Sequence, residues 1–589
     1  MNSIRHAFVS LFIPFFLVAS LLTGCGGSNT PPPAPVVADA PAPGFVIGSG
    51  NVATADPTLP RPASTPCTVT LFANATFDDF SSQVFTYAPP ASCPGPWAKV
   101  VLEADFSVTA GLQYDRTAHI SVAGVNIYTG TTEEPSTNVA PSWHVERDLS
   151  EYSSLFTGNQ SGAVDLDNLV NSTYTGVASG TARLLFYPVV GSSPAEPHAD
   201  AVYAFSSGPN GRPVDLNTPG SMLSASYTFP TNVVRAYLDV IAQGQSNDEF
   251  WYTCAPNSLT TELQTCGSTA FRETQVTIDG VPAGVAPVYP WIFTGGIDPG
   301  LWRNIPSVQT LNMQPYRVDL SPFAANLNDG NPHTISVGVE NADSYFAVTA
   351  ALLIYRDPTM PVVTGGITSN TLVAAVAPTI NNQVTVDTSG DAVGTLSTTA
   401  QRQYQIIGSI NSSHGLEILS VNQSMNFSNV QTFTDTSEDF LQSTTVTTTS
   451  LSMIGSQQTQ LTRQSSYPLH FNYSVDASGN STSTVNMSLI VNNTLNVNGR
   501  VTYSNQLNDN VNNMSLYASP PVTSVQSGAE QYIFTDSLGS CYNRSLVSTN
   551  VLLVSAIDAG SCGGVGSIAR MPWNVDPLGG TGFLGPIGY

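Results

Sequence analysis

The sequence predicts an all-β protein: two tandem jelly-roll-like antiparallel sandwiches followed by a third β-rich region. Three observations support this class: apolar and polar residues alternate with period two, helical periodicity is almost absent, and a set of motifs occurs twice in the same order. Thr, Ser, Asn, Val, Gly and Pro dominate the composition, which is typical of β-strands joined by turns. At roughly 100–200 residues per domain, 589 residues leave room for several domains.

The first 66 residues indicate export. Residues 1–25 combine a basic start, an apolar run and a Leu22-Thr23-Gly24-Cys25 ending, which resembles a bacterial lipobox with Cys25 as the acylation site. A plain signal peptide and a single transmembrane helix are the alternatives. Residues 26–66 are rich in Pro and Ala and predict an extended tether. We expect a lipoprotein of the bacterial cell envelope, at the outer membrane or surface, or a secreted protein.

The six remaining cysteines fall into three pairs that are close in sequence. Export to an oxidising compartment favours local disulfides over a metal site, and the chain has no CxxC motif. The predicted disulfides are Cys67–Cys93, Cys254–Cys266 and Cys541–Cys562.

Two units of the chain, residues 67–190 and 213–357, share three features in the same order. The first is a strand that ends in Gly-Val, at HISVAGV and VTIDGV. The second is an Arg-Asp-Leu element, at Arg147–Leu149 and Arg317–Leu320. The third is an acid-Asn turn, at Asp167-Asn168 and Glu340-Asn341. The order favours duplication over chance similarity. Residues 358–399 are predicted to form a linker, and residues 400–589 a third β-rich domain.

The charge pattern limits the chemistry. With 17 basic and 41 acidic residues, and Lys99 as the single lysine, the chain lacks the clustered cations that nucleic acids require. GxSxG, P-loop and HExxH motifs are absent. We therefore expect no cofactor, no metal and no nucleic-acid partner, and the chemistry falls to carboxylates with Arg and Trp.

Three acidic clusters stand out in a chain with few charges. Two of them occupy corresponding places in the two units, beside the aromatic residues Tyr114, Phe250 and Trp251, and the third follows the next strand of the first unit. Solvated turn residues are the alternative reading for all three, and the tryptophans could equally fill a core. The clusters are Asp115-Arg116, Glu133-Glu134 and Asp248-Glu249, with Trp251 directly after the last.

At these residues the sequence resembles the peptide-N-glycosidase A family, the peptide-N4-(N-acetyl-β-glucosaminyl)asparagine amidases. The resemblance runs from about Phe72 to the C-terminus, and bacterial members that work at acid pH fit the acidic composition. It is carried by CPGPWAKVVLEADFSVTAGLQYDRTAHISVAGVNIYTGTTEEP, VNSTYTGV, NDEFWY, WIFTGGIDPGLWRNI and GSINSSHG.

A fainter resemblance to the flavobacterial peptide-N-glycosidase F family, which has two adjacent jelly rolls, implies individual roles. YDRTAHISV places Asp115 on that family's catalytic aspartate and Arg116 on its arginine. Ser268 stands where the second acid is expected, so Glu249 is the substitute candidate, and Asp167 falls near a third acidic position. The remaining substrate-binding candidates are Glu134, Trp143, Asp248 and Trp251.

The resemblance implies a hydrolase that cleaves the amide between N-acetylglucosamine and asparagine, with N-glycosylated peptides or proteins as substrates. A non-catalytic glycan-binding surface lipoprotein and a glycosidase with two carboxylates are the alternatives. We expect a monomer that remains folded and active in acid, because protonation of carboxylates relieves the repulsion of a net charge of −24. Only the N-terminal lipid is expected to contact a membrane.

Overall fold

The computed structural model describes residues 44–559, except 60, 63, 191–197, 218–219, 299, 436–437, 518–522 and 538–540. The predicted export signal, Cys25 and Cys562 lie outside this part of the chain. Within it, thirty β-strands and four short 3₁₀ helices account for the regular structure, which confirms the all-β class. None of the helices in the described part is long and apolar enough to cross a membrane.

The first unit is a jelly roll of two four-stranded antiparallel sheets. One sheet has the order β1-β8-β3-β6 and the other β2-β7-β4-β5, so strands adjacent in sequence mostly lie in opposite sheets. A 3₁₀ helix, Ser150–Phe156, follows β6. The strands are β1 (Cys67–Phe77), β2 (Gln83–Tyr87), β3 (Trp97–Val108), β4 (Thr117–Val122), β5 (Val125–Thr131), β6 (Ser142–Asp148), β7 (Gln160–Leu166) and β8 (Ala178–Pro188).

The second unit repeats this topology. Its sheets have the orders β10-β17-β12-β15 and β11-β16-β13-β14, and β9 is added at β17. The 3₁₀ helices are Ser246–Thr253, Asn257–Leu259 and Ser321–Asn328. The strands are β9 (Ala201–Phe205), β10 (Val214–Leu216), β11 (Met222–Thr228), β12 (Val233–Gln245), β13 (Glu273–Ile278), β14 (Val281–Pro287), β15 (Tyr316–Asp319), β16 (Pro332–Glu340) and β17 (Tyr345–Arg356).

The repeated motifs occupy equivalent places in the two units. The Gly-Val strands are β4 and β13, the Arg-Asp-Leu elements end β6 and β15, and the acid-Asn turns follow β7 and end β16. Strand β3 shows why the sequence pattern identified the fold. Val100, Leu102, Ala104 and Phe106 point into the sandwich and are at most 2% exposed, as a half-buried strand requires.

The third region is one 13-stranded antiparallel sheet that follows the chain closely from β21 to β30. Strands of up to 21 residues alternate buried and more exposed side chains, so one face packs while the other faces solvent. The strands are β18 (Thr364–Asn370), β19 (Thr379–Asn382), β20 (Thr385–Val386), β21 (Ala392–Ser412), β22 (Gly415–Asp435), β23 (Asp439–Ile454), β24 (Gln457–Ser466), β25 (Leu469–Val475), β26 (Ser481–Val497), β27 (Arg500–Tyr517), β28 (Thr523–Asp536), β29 (Cys541–Thr549) and β30 (Leu552–Asp558).

The inner face of this sheet packs on the second jelly roll. The buried pair Arg402–Glu273 joins β21 to β13 with Nη2 and Oε1 2.6 Å apart. Residues predicted to form a linker already contribute β18, β19 and β20 to the sheet. Part of the predicted tether also packs on the body, since Ala55 is fully buried and its N–H donates to Glu530 Oε2 at 2.6 Å.

Buried polar contacts join the two jelly rolls. Arg317 of β15 contacts Glu151 at 2.7 Å and Asp239 at 2.7 Å, and Tyr152 donates to the same Asp239. Near β5, the Tyr128 hydroxyl donates to the Leu311 carbonyl at 2.7 Å. Because these groups satisfy each other out of water, the junction holds the two units in one fixed relation.

Candidate active site

The first jelly roll brings Asp115 next to Glu133 and Glu134 through ordinary strand pairing. Asp115 lies two residues before β4, and the two glutamates follow the end of β5, its antiparallel neighbour. The start of one strand therefore faces the end of the other. The Thr132 N–H donates to the Arg116 carbonyl, and the Arg116 N–H donates to the Thr132 hydroxyl, both at 2.8 Å. These two hydrogen bonds fix the two connections to each other.

The connection between β14 and β15 of the second jelly roll closes the site from the other side. The Thr294 hydroxyl donates to the Thr132 carbonyl at 2.6 Å, and the Gly295 N–H donates to Asp115 Oδ2 at 2.9 Å. The Arg303 guanidinium lies 3.8 Å from Glu134 Oε2. The carboxyl cluster therefore sits at the junction of the two jelly rolls and takes groups from both.

Gly295 is required at this position by space. A Cβ there would lie 2.3 Å from Glu134 Oε1 and 3.2 Å from Asp115 Oδ2. The first distance is far inside a van der Waals contact. A glycine is what allows the backbone N–H to approach both carboxyl groups.

Burial makes the carboxyl groups of this cluster weak acids. Desolvation raises the pKa of Glu133 to about 8, and the Arg303 charge opposes the shift. Desolvation and the Asp115 charge raise the pKa of Glu134 to about 7. Burial also raises the pKa of Asp115, while the Gly295 hydrogen bond and Arg116 oppose that rise. Three neighbouring carboxyl groups with raised pKa values are candidates for acid–base chemistry.

Arg116 and two tyrosines border the cluster. Arg116 Nη2 donates to Gln113 Oε1 at 2.9 Å, while its buried Nε has no hydrogen-bond partner among the residues that the structure describes. Tyr114, next to Asp115, is 48% exposed, and its ring lies 5.4 Å from that of Tyr174. The exposed ring of Tyr114, packed against the partly buried Tyr174 and beside buried carboxyls, offers a stacking surface for a ligand with an apolar face.

The structure places three predicted substrate-binding residues in packing or ion-pair roles. Trp143 is 6% exposed and stacks on Phe106 in the first sandwich. Trp251 is 2% exposed and packs on the ring of Tyr467 from the third sheet. Asp167 accepts two hydrogen bonds of 2.8 Å from Arg212.

The predicted Asp248-Glu249 cluster lies in the connection between β12 and β13, which corresponds to the connection that carries Asp115. The side chains of Asp248 and Arg272 are fully buried and pair at 2.8 Å. Glu249 carries its charge near Tyr252 and Tyr345 of the second jelly roll. The acid beside Asp115 is Glu134, and a catalytic role for Glu249 stays a prediction.

The cysteines differ in outcome. Cys254 and Cys266 form the predicted disulfide. The predicted Cys67–Cys93 disulfide is not formed, and both residues are free thiols. Burial and a hydrogen bond with Cys67 raise the pKa of Cys93 to about 11. The two thiols are therefore neighbours without a covalent bond between them. Cys541 is disulfide-bonded, and its predicted partner lies outside the described residues.

One group of side chains in the described residues has the spacing of a metal site: Glu103, His144 and Glu146. Its charges are already balanced, because Arg61 contacts Glu103 at 3.0 Å and Glu146 at 2.7 Å. The neighbouring carboxylates also raise the pKa of His144 to about 9, which keeps the ring protonated. In the described residues this cluster forms an ion-pair network of Arg61, Glu103, His144 and Glu146.

Sequence reasoning missed Gly295 and Arg303 as site residues. Both lie in the WIFTGGIDPGLWRNI stretch, which carries the family resemblance but has no acidic pair to attract notice. Gly295 reaches Asp115, and Arg303 reaches Glu134, only through the packing of one jelly roll on the other. The Gly295-Gly296 pair inside an aromatic-rich loop was the available signal for a close backbone approach.

Two jelly rolls of identical strand order, with buried carboxyls at their junction, define a tandem β-sandwich protein with a candidate hydrolytic site. The chain belongs to the peptide N-acetyl-beta-D-glucosaminyl asparaginase amidase A family, whose model matches residues 57–372, more than half of its length. It is 29% identical over 348 residues to peptide-N4-(N-acetyl-beta-glucosaminyl)asparagine amidase A of Prunus dulcis. That match covers 56% of this chain and 60% of the relative.

Solved structures give more distant similarities. PNGase F, a glycosylasparaginase from Flavobacterium meningosepticum, matches with a TM-score of 0.34 and 14% identity over 50% of this chain and 96% of its own. PNGF-II matches with a TM-score of 0.33 and 13% identity over 49% of this chain and 66% of its own.

Proposed function

We propose that this protein hydrolyses the amide bond between N-acetylglucosamine and asparagine in N-glycosylated peptides or proteins. Family membership and the names of the relatives support the reaction class. The observation that carries the assignment to this site is the 2.9 Å hydrogen bond from Gly295 N–H to Asp115, beside buried Glu134. It fixes one carboxylate oxygen and leaves the other to act on a water.

In the proposed reaction Asp115 is the general base. It accepts a proton from a water, and the water oxygen attacks the side-chain carbonyl carbon of the glycosylated asparagine. The carbon–nitrogen bond then breaks, the asparagine becomes aspartate and the glycan leaves as a glycosylamine. A positioned general base contributes about 10²–10⁴-fold, and alignment in the junction supplies further rate enhancement.

Glu134 is the proposed acid. Because its pKa is raised to about 7, it holds a proton across the acid range and can give it to the departing nitrogen. Asp115 interacts with Arg116, whose charge opposes the rise in its pKa. The proposed reaction needs Glu134 protonated, and its pKa of about 7 keeps it so below that pH. The Gly295 N–H and the Arg116 charge favour the ionised form of Asp115 against its burial.

Substrate binding falls to the rim of the cluster. The exposed ring of Tyr114 and its neighbour Tyr174 are proposed to stack on a sugar ring of the glycan. Arg303, 31% exposed, is proposed to donate to sugar or peptide oxygens while it pairs with Glu134. Export as a lipid-anchored monomer remains a proposal that rests on residues 1–25 of the sequence.

The test is a comparison of variants on a defined glycopeptide, with both products weighed. Wild type should release the intact glycan and convert asparagine to aspartate. Asp115→Asn should keep the fold and glycan binding but lose turnover by ~10²–10⁴-fold. Glu134→Gln should lose more activity than Glu249→Gln, because Glu134 lies against Asp115 and accepts a hydrogen bond from its backbone N–H.

Two results would overturn parts of the proposal. A peptide that keeps one N-acetylglucosamine would make the protein a glycosidase. Near-normal rates in Asp115→Asn would remove the base from Asp115 and move it to another acid, with Glu249 the first to examine.

A further inference from the structure

The turn that reaches the carboxyl cluster from the second jelly roll is closed by its own hydrogen bonds. The Asp298 N–H donates to the Gly296 carbonyl at 2.8 Å, and the indole N–H of the fully buried Trp302 donates to the same carbonyl at 3.0 Å. These bonds make the turn one compact piece. A contact that holds Asp298 therefore also holds the two site residues at its ends, Gly295 and Arg303.

The third sheet supplies such a contact. The Asn513 amide of β27 donates to Asp298 Oδ2 at 2.8 Å, and the Gly300 N–H donates to Asp298 Oδ1 at 2.7 Å. An ionised carboxylate only accepts hydrogen bonds, so the two donors serve its two oxygens. Asn513 is 2% exposed, and its burial keeps water from replacing it as the donor.

A second amide of the same sheet supports the turn. Gln526 of β28 is the direct cross-strand neighbour of Asn513, is 1% exposed and donates to the Leu301 carbonyl at 3.3 Å. The family match ends at residue 372. Both amides therefore hold the turn from a part of the chain that lies beyond the match.

At its other side the turn contacts the carboxyl cluster. The Gly295 N–H donates to Asp115 Oδ2 at 2.9 Å, and the Arg303 guanidinium lies 3.8 Å from Glu134 Oε2. Burial raises the pKa of Asp298, and the Arg303 charge opposes that rise. Arg303 therefore interacts both with the carboxyl that the third sheet holds and with Glu134.

We propose that Asn513 is a positioning residue of the active site, which holds Asp298 and thereby keeps Gly295 and Arg303 against the Asp115 cluster. The inference rests on the proposed function, because it concerns the same site. Asn513 acts through Asp298 and not on the substrate. It gives the third sheet a part in turnover.

The first test compares two buried asparagines of β27. Asn513→Leu removes the donor at nearly constant volume, and kcat for glycan release should fall about 10- to 100-fold. Asn505→Leu is the matched control, because Asn505 is 5% exposed on the same face of the strand and its amide bonds stay within the sheet, with Asn493 and Tyr532. Both variants should have a lower Tm, but the control should keep kcat.

The pH–rate profile separates positioning from a general loss of stability. The Arg303 charge opposes the rise in the pKa of Glu134, so a displaced Arg303 should move the decline in rate to a higher pH than in wild type. We expect this shift in Asn513→Leu and not in Asn505→Leu. Asp298→Ala breaks the same contact from the side of the turn, and it keeps the test valid if Asn513→Leu does not fold. The double variant should lose no more activity than Asp298→Ala alone, because both substitutions break one contact.

Hydrogen exchange reads the turn without turnover. The peptide that covers residues 294–304 should exchange faster in Asn513→Leu than in wild type or Asn505→Leu. If wild type leaves the glycopeptide intact, the proposed function fails, and exchange still decides whether Asn513 holds the turn. Retained kcat in Asn513→Leu, an equal loss in Asn505→Leu, a decline at the wild-type pH, additive losses in the double variant or unchanged exchange would each overturn the inference.

Discussion

Replacement of Gly295 by alanine tests the geometry of the junction most directly. The new methyl group would lie 2.3 Å from Glu134 Oε1, so one of the two must move by about 1 Å to reach a van der Waals separation. Glu134 has little room, because its side chain is 6% exposed and it is held by the Asp115 backbone N–H. The displacement therefore passes to the loop that carries Gly295 and lengthens its hydrogen bond to Asp115.

The expected cost is in turnover. A misplacement of about 1 Å in an active site lowers the rate ~10²-fold. The backbone of Gly295 is not in the left-handed region, so alanine adds no backbone strain there. We therefore expect kcat to fall ~10²-fold while the fold is retained.

The assay is the initial rate of glycan release from a defined glycopeptide, read together with the Tm of each variant. Gly158→Ala is the matched control, because a Cβ at Gly158 meets nothing within 4 Å. The control should keep both its rate and its Tm. A fully active Gly295→Ala variant would refute the argument that this close approach positions Asp115 and Glu134.

Three further predictions follow from the buried charges. Glu134→Gln should lower the rate at pH 5 by ~10²-fold and remove the decline in rate that we expect of wild type as pH rises through about 7, in a pH–rate profile. Glu133 has a folded-state pKa raised to about 8 from 4.5, so it stabilises the fold below pH 4.5 and that stabilisation is lost as pH rises through 8. Glu133→Gln should consequently gain stability over wild type at pH 8 but not at pH 4, in urea unfolding, and equal differences at both pH values would contradict the burial of this carboxyl. Asp248→Asn should lose about 3–5 kcal/mol of unfolding free energy, because it leaves Arg272 buried without its counter-charge. The folded variant should retain kcat. A rise in KM alone would restore Asp248 as a substrate-binding residue.

The amino-acid pattern was sufficient for the strands and their duplication. In β3, apolar residues at alternate positions specify which face is buried, and this information is local. The repeated motifs fall on equivalent strands because each unit folds with the same register. The position of Asp115 before β4 could also be predicted, since its immediate neighbours form the strand that holds it.

Other features depended on contacts between residues far apart in the chain. In the sequence, Glu134 and Glu249 are alike as the second acid of a pair of adjacent acidic residues. The packing of the jelly rolls places Glu134 next to Asp115, whereas Glu249 lies near Tyr345. Asp248, predicted to bind substrate, is paired with Arg272, 24 positions away.

The sequence alone therefore determined the β class, the two units and the strand-edge position of Asp115, because alternation and turns are encoded by neighbouring residues. Only the tertiary structure decided which groups surround Asp115 and how acidic they are. Gly295 comes from 180 positions away, and the raised pKa of Glu134 arises from desolvation between two packed units. Desolvation depends on everything that excludes water from a group, and no local stretch of sequence specifies that.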